Sequence, residues 1–330
     1  MSKPGNGGRF WRSDSGGIPV VPADQPRRKR RTRVGLTLGG GAARGWAHIG
    51  VIHALTEAGI VPDIISGTSI GAVVGGCYAA GLLPSLEDFA LSLTRRRVFG
   101  LLDLNFAGSG LISGNRLSKL LETQLAGRQI EDLKPRFVCV ATELGTGHEI
   151  WMSRGGLVDA LRASYALPGI FQPVRIGGRW LVDGALVNPV PVSAARALGA
   201  DVVIAVNLQS DVFGRGTIVH DQSADEILEE GKADVAPNGQ AKRMLRRQLI
   251  GGGSDGPPGI SAVMVEAFNI IQDRIARARL AGDPPDAVIG PKLGKIGHFD
   301  FHRASEAIAL GYETARKMAP EIAEVIGTLE

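Results

Sequence analysis

Residues 60–81 read IVPDIISGTSIGAVVGGCYAAG, and this stretch decides the fold. Ile60 to Ile65 is an apolar run of strand length, Ser66-Gly67-Thr68-Ser69 a sharp turn, and Ile70 to Ala80 an apolar helix that Gly81 stops. The turn carries Gly67-Thr68-Ser69-Ile70-Gly71, a G-x-S-x-G between a strand and a helix. Glycines two positions either side of the serine let strand and helix approach closely. The serine itself sits on a strained bend with its hydroxyl outward, the arrangement of a nucleophile elbow. It also lies at a helix N-terminus, where the dipole favours a developing negative charge.

The same strand–turn–helix unit stands just upstream. Val34-Gly35-Leu36-Thr37-Leu38 reads as a short buried strand, followed by Gly39-Gly40-Gly41 and a helical pattern from about Ala42 to Ala58 with Gly59 as its stop. Downstream come a strand over Arg136 to Ala141, a helix over Leu157 to Ala166 broken by Pro168, the run Arg179 to Val182 before Asp183-Gly184, a helix over Val192 to Leu198, and a strand over Val202 to Val206. A helix from Ser261 to Leu280, a strand near Ala287 to Ile289 and a last helix from Arg303 to Met318 follow. Strands alternating with helices over short connections predict an α/β fold, a three-layer α/β/α sandwich with a mainly parallel central sheet.

Organisation follows from composition. Of the chain's net charge of +4, residues 1–33 hold +7, so the remainder is −3. This segment, with the run Arg27 to Arg33, is expected to be a disordered basic tail, suited to anionic surfaces or simply solvated. Residues 34–210 are expected to form the core, 211–260 a flexible insertion, and 261–330 a helix and strand segment packed on the core. Within the insertion, Lys242 to Ile250 is a short basic amphipathic stretch suited to anionic head groups. Cys77 and Cys139 lie in apolar stretches and read as buried thiols, no leader with an apolar core is visible, and no run is long enough to span a bilayer. The expectation is a cytoplasmic protein with peripheral membrane contact; the oligomeric state stays open.

Three motifs carry chemistry. The first is the elbow at Ser69. The second is Gly39-Gly40-Gly41-Ala42-Ala43-Arg44-Gly45, whose outward N–H groups can hold a phosphate or an oxyanion. A dinucleotide fingerprint needs a glycine where Arg44 stands, and a P-loop needs Lys-Ser/Thr where Trp46 stands, so both nucleotide readings are weak. The third is Asp183, directly after an apolar run. A carboxylate there is partly buried, which raises its pKa and suits a general base. Six histidines compete for that role: His48 and His53 on the first helix, His148, His220, and His298 and His302, which would give the Ser…Asp…His order of a conventional esterase. No metal-ligand spacing occurs, and neither a metal nor another cofactor is expected.

In this order, the three motifs resemble those of the patatin-like phospholipase family, most narrowly its bacterial RssA-like members related to the neuropathy target esterase catalytic domain. Gly40 to Gly45, Gly67 to Gly71 and Asp183-Gly184-Ala185 stand where that family has its oxyanion loop, elbow and Asp-Gly-Gly/Ala, and Ala163 to Pro168 matches a segment that lines its site. The resemblance runs from Val34 to about Leu208. It implies Ser69 as nucleophile, Asp183 as base in place of a histidine, and an oxyanion hole from Gly40, Gly41 and Ala42. Arg44 then steadies the loop, and Gly45, Gly67, Gly71 and Gly184 support the motifs. One departure is Ala42, where many relatives carry glycine. The implied activity is serine acyl hydrolysis of a lipid ester, as phospholipase, lysophospholipase or carboxylesterase, with nucleic acid not an expected partner. The rival reading is a lipid-binding or scaffolding protein that keeps the pocket and turns over little.

Overall fold

Eight strands form one sheet in the computed structural model, which describes residues 31–94, 115–211 and 260–328. Most of the basic tail and of the 211–260 insertion, with Lys242 to Ile250, lies outside the described residues. The strands are β1 (Val34–Leu38), β2 (Ile64–Thr68), β3 (Arg136–Glu143), β4 (Glu149–Met152), β5 (Val174–Ile176), β6 (Arg179–Asp183), β7 (Val202–Val206) and β8 (Ala287–Ile289). The helices are α1 (Ala47–Glu57), α2 (Ile70–Ala79), α3 (Leu83–Leu91), α4 (Asn115–Leu125), α5 (Leu157–Ser164), α6 (Val192–Ala197), α7 (Ile260–Gly282) and α8 (Ala304–Gly327). Strands β3, β2, β1, β7 and β8 run parallel, while β4, β5 and β6 add antiparallel pairs at the β3 side.

Both faces of the sheet are covered, and the central strands β1, β2 and β7 are buried along their whole length. Leu36, Leu38 and Ile65 join one large core with α1, α2, α5 and α8. Their neighbours Ile64, Val203 and Ala205 point the other way, to a smaller core with Ala195 of α6 and Ala276 of α7. The period of two along each strand thus separates two helical layers, and the fold is the three-layer sandwich expected. On the smaller-core side the hydroxyls of Thr37 and Ser66 meet at 2.8 Å, and Ser66 Oγ also lies 2.9 Å from the Pro191 carbonyl oxygen, so the buried polar pair is satisfied. Helices α1 and α8 cross at glycines: a methyl on Gly50 would overlap the Ile308 carbonyl, and one on Gly311 the Ala47 carbonyl.

The register on β3 positions the site. Cys139 and Val140 pair with β2 on one flank and with β4 on the other. Ala141 and Thr142 pair with both β4 and β6. Strand β6 therefore occupies the same flank of β3 as β2, and the two approach each other end to end. Thr68, the last residue of β2, is opposite Val140; Asp183, the last of β6, is opposite Ala141. The residue that leaves β2 thus meets the carboxylate that ends β6.

Several boundaries differ from the sequence reading. Strand β2 begins at Ile64: Pro62 has no N–H to give a ladder, and Asp63, whose backbone bonds Val34 and Arg136, also accepts from Val34 N–H with its carboxylate at 2.9 Å. The first helix opens as a 3-10 turn over Ala42–Trp46 and becomes α-helical only at Ala47, since Ala42 holds φ at 49°. Helices α3 and α4 and strands β4 and β5 are additions. Strand β5 had a readable signal: Gly177 and Gly178, at φ 58° and 83°, form the two-residue turn of a β5–β6 hairpin. At the other boundary, Arg33 donates from backbone and guanidinium to Asp201, fastening the start of β1. Among the described residues no helix is long and apolar enough to cross a membrane.

Gly71 tests this packing. A methyl there would overlap the Leu38 carbonyl oxygen and lie 2.7 Å from that of Gly39, so α2 would have to leave the end of β1. Gly71→Ala is expected to cost about 3 kcal/mol or more. Gly59→Ala, at φ 77° in open space, is expected to cost only about 1 kcal/mol. Urea unfolding of the two variants checks the difference.

Candidate active site

Ser69 is the N-cap of α2 and has φ 56° and ψ −126°, a left-handed backbone that a serine rarely adopts. Two features hold it there. Its N–H donates to Ser164 Oγ at 3.0 Å, and that hydroxyl donates to the Val140 carbonyl at 2.6 Å. Its carbonyl accepts from Ala72 N–H at 3.0 Å, starting α2. The strain places Oγ 2.7 Å from Asp183 Oδ2, across 114 residues of sequence. Ser164 is the residue that sequence reasoning did not single out, although it lies in the Ala163 to Pro168 segment. Its role depends on β3 passing beneath, which no local pattern records.

Asp183 is 1% exposed. Its Oδ1 accepts from Ala185 N–H at 2.8 Å, capping the 3-10 turn Gly184–Leu186, and its backbone carbonyl accepts from Thr142 Oγ1 at 2.9 Å. Burial pushes the carboxyl up to about 7 from its ordinary 3.8, and the donors on Ser69 and Ala185 offset only part of that rise. Gly184 allows the turn to lie on β3, since a methyl there would overlap the Val140 carbonyl. Gly45 and Gly67 likewise lie against Ile70 and Ala72.

The Gly39–Gly45 loop is pinned on three sides. Gly39 N–H donates to Val206 O at 3.1 Å and Gly40 N–H to Pro189 O at 2.9 Å. His48, fully buried, reaches the Gly39 carbonyl with Nε2 at 2.8 Å. Desolvation lowers its pKa to about 4, so the ring is neutral and donates that hydrogen bond. Third, Ala43 N–H donates to His298 O at 3.0 Å, while buried Arg44 donates from Nε to Ile296 O at 2.7 Å and faces His298 Nε2 at 3.1 Å. Among the described residues, the N–H groups of Gly41 and Ala42 have no partner. Of the three N–H groups read as a hole from the sequence, that of Gly40 is already engaged.

Among the described residues no histidine is hydrogen-bonded to Ser69 or Asp183. His298 lines one cavity with them, but its nitrogens face Arg44 and the Asn269 amide, and burial beside Arg44 draws its pKa to about 3. His53 pairs with Glu87 at 2.8 Å, exposed His148 lies near Glu143, and His302 sits on the 3-10 turn Phe301–Arg303. His220 lies outside the described residues. No group of three His, Cys, Asp or Glu among the described residues is placed to hold a metal.

Ser69, Asp183, Gly41 and Ala42 all border one cavity of about 1110 Å³, part of it open to solvent. The rest of its wall is largely apolar: Ile70 and Val73 of α2, Phe89 and Leu93, Phe171 and Phe268 are among the lining residues. A serine hydroxyl, the buried carboxyl it is hydrogen-bonded to and the two residues with unpartnered N–H groups thus border an apolar chamber.

Residues 36–196 match the family model described as patatin-like phospholipase. An uncharacterized NTE family protein of Mycobacterium tuberculosis is 32% identical over 335 residues, covering 89% of this chain and 93% of that protein. The protein named lysophospholipase NTE1 of Coccidioides immitis is 31% identical over 290 residues, covering 86% of this chain and 17% of its own length. Among solved structures, VipD from Legionella pneumophila aligns over 88% of this chain and 67% of its own, at 15% identity and a TM-score of 0.42. The chain belongs to the patatin-like phospholipase family, on its NTE branch.

Proposed function

We propose that this protein is a serine acyl hydrolase that cleaves lipid acyl esters with Ser69 and Asp183 as a dyad. The observation that carries the reading is the 2.7 Å hydrogen bond from Ser69 Oγ to a buried carboxylate at the edge of an apolar cavity. Family membership supports lipid hydrolysis, and the fungal relative's name, lysophospholipase, supports an acyl ester of a lipid as substrate.

In the proposed reaction the ester carbonyl carbon sits over Ser69 with its acyl chain in the cavity. Asp183 takes the hydroxyl proton as Oγ forms a bond to the carbonyl carbon. The carbonyl oxygen gains the negative charge, and the N–H groups of Gly41 and Ala42, with the N-terminus of α2, are oriented to receive it. Collapse breaks the bond to the alcohol, which leaves with the proton held by Asp183. Water then gives a proton to Asp183, attacks the acyl-enzyme and releases the fatty acid, and the proton returns to Ser69. The pinning of Gly39, Gly40 and Arg44 supports the same reading, because a preorganised donor pair costs no rearrangement when charge develops. Contact with an anionic membrane surface through Arg27 to Arg33 and Lys242 to Ile250 is part of the proposal.

A fluorophosphonate is expected to modify Ser69 alone, read by peptide mass mapping; labelling elsewhere, or none, refutes the dyad. Ser69→Ala is expected to reduce p-nitrophenyl ester hydrolysis to background, and Asp183→Asn to lower kcat by about 10²- to 10⁴-fold with the fold retained by circular dichroism.

The pH profile follows from Asp183, which must be ionised to act. With its pKa near 7, kcat/KM is expected to rise about tenfold per pH unit below neutrality and level off above it. The stability dependence has the opposite sense. Folding raises this pKa above 3.8, so the native state binds more protons between about pH 4 and 7, and stability falls as pH rises through that window. Asp183→Asn is therefore expected to raise Tm relative to wild type at pH 8 and to lose the advantage near pH 4. An equal Tm difference at both values would refute the buried carboxylate as its source.

A further inference from the structure

The apolar wall of the cavity leads away from Ser69 along α2. Ile70 and Val73, nearly one turn apart, both line it, and both are buried. After the turn at Gly81, α3 brings Phe89, and the chain just past its cap Ser92 brings Leu93, to the same cavity. These two residues have a second exposure: they also line a groove of about 790 Å³, open to solvent, whose other wall is Leu120 and Thr123 of α4. The catalytic chamber and this groove therefore lie back to back, with Phe89 and Leu93 between them. Phe89 is braced edge-on against Trp46, centroids 6.5 Å apart, and Leu93 is only 6% exposed, its N–H bonded to Ala90 O. The two residues that border both spaces come from α3 and the segment just after it.

We propose that Phe89 and Leu93 form the partition that sets the length of acyl chain this enzyme accepts. The inference rests on the reading of Ser69 as an acyl-accepting nucleophile. An acyl chain extending from Ser69 along Ile70 and Val73 gains affinity for each methylene it buries until it meets the partition. Beyond that point a further methylene must displace Leu93 or turn back into water. The acyl tail best accommodated thus ends at Leu93. Opening the partition joins the chamber to the α3–α4 groove and admits a longer tail.

The test is the chain-length profile of kcat/KM for p-nitrophenyl esters from butanoate to hexadecanoate, measured on wild type, Leu93→Ala and Leu93→Phe. Wild type is expected to rise to a maximum and fall. Leu93→Ala is expected to move the maximum to longer chains, the ratio of long to short ester climbing by up to about fourfold per added methylene accommodated. Leu93→Phe is expected to move it to shorter chains, and Leu93→Met to restore the wild-type profile. A residue that merely supports the fold would lower every ester alike. Equal losses at all lengths, or an unmoved maximum in a variant with wild-type Tm, would overturn the partition. Should Leu93→Ala not fold, the opposite shift in Leu93→Phe decides. A wild type inactive on all esters and unlabelled at Ser69 overturns the dyad as well, whereas an active enzyme with an unmoved profile overturns the partition alone.

Discussion

A carboxylate removed from water must find either a cation or hydrogen-bond donors, and Asp183 is left with only donors. It receives one N–H, from Ala185, and one O–H, from Ser69, and no cation is among the causes that shift its pKa. That is less compensation than full burial of a charge requires, so its proton affinity rises to about neutral. Several nearby residues keep this dry carboxyl in place. Thr142 holds its backbone, Gly184 lets the chain turn away across β3, and Ser164 fixes the strained serine opposite. An imidazole has a pKa near neutrality without burial, whereas this carboxyl reaches it because desolvation outweighs its two donors.

The Gly-rich loop shows the complementary principle, that donors are kept free by occupying everything around them. Val206, Pro189 and His48 engage the peptide groups at residues 39 and 40, and the C-terminal region engages Ala43 and Arg44. The C-terminal region is thereby part of the site even though it supplies neither the serine nor the aspartate. Its attachment at the far side is just as close, with α8 crossing α1 at Gly50 and Gly311 almost backbone to backbone.

How much of this could be read from residues alone depends on whether the cause was local. The strand–turn–helix units around residues 34–58 and 60–81 were legible because period and glycine stops are local signals. The strained bend at Ser69 was legible for the same reason. That Asp183 would stand beside Ser69 came from the resemblance and from both lying at strand ends; the shared flank of β3 that brings them together is a matter of register, which a single sequence does not display. Ala42 shows a local rule yielding to the fold: alanine avoids φ near 49°, yet the pinned loop imposes it. The engagement of Gly40 N–H by Pro189 was likewise invisible, since it joins residues 149 positions apart. The hairpin at Gly177-Gly178 does have a local signal, two adjacent glycines between short runs.

The end-to-end docking of two strands on one flank of β3 has a consequence for how this architecture can vary. Within the sheet, the spacing between the end of β2 and Asp183 is measured along a single strand, from Val140 to Ala141. Most of the chain between them is slack with respect to that measurement. Loops there can be lengthened, trimmed or exchanged without changing the gap, whereas inserting or deleting one residue within β3 would displace one group from the other. Tolerance to insertion and intolerance to slippage therefore coexist in the same polypeptide, and β3 is the gauge that separates them.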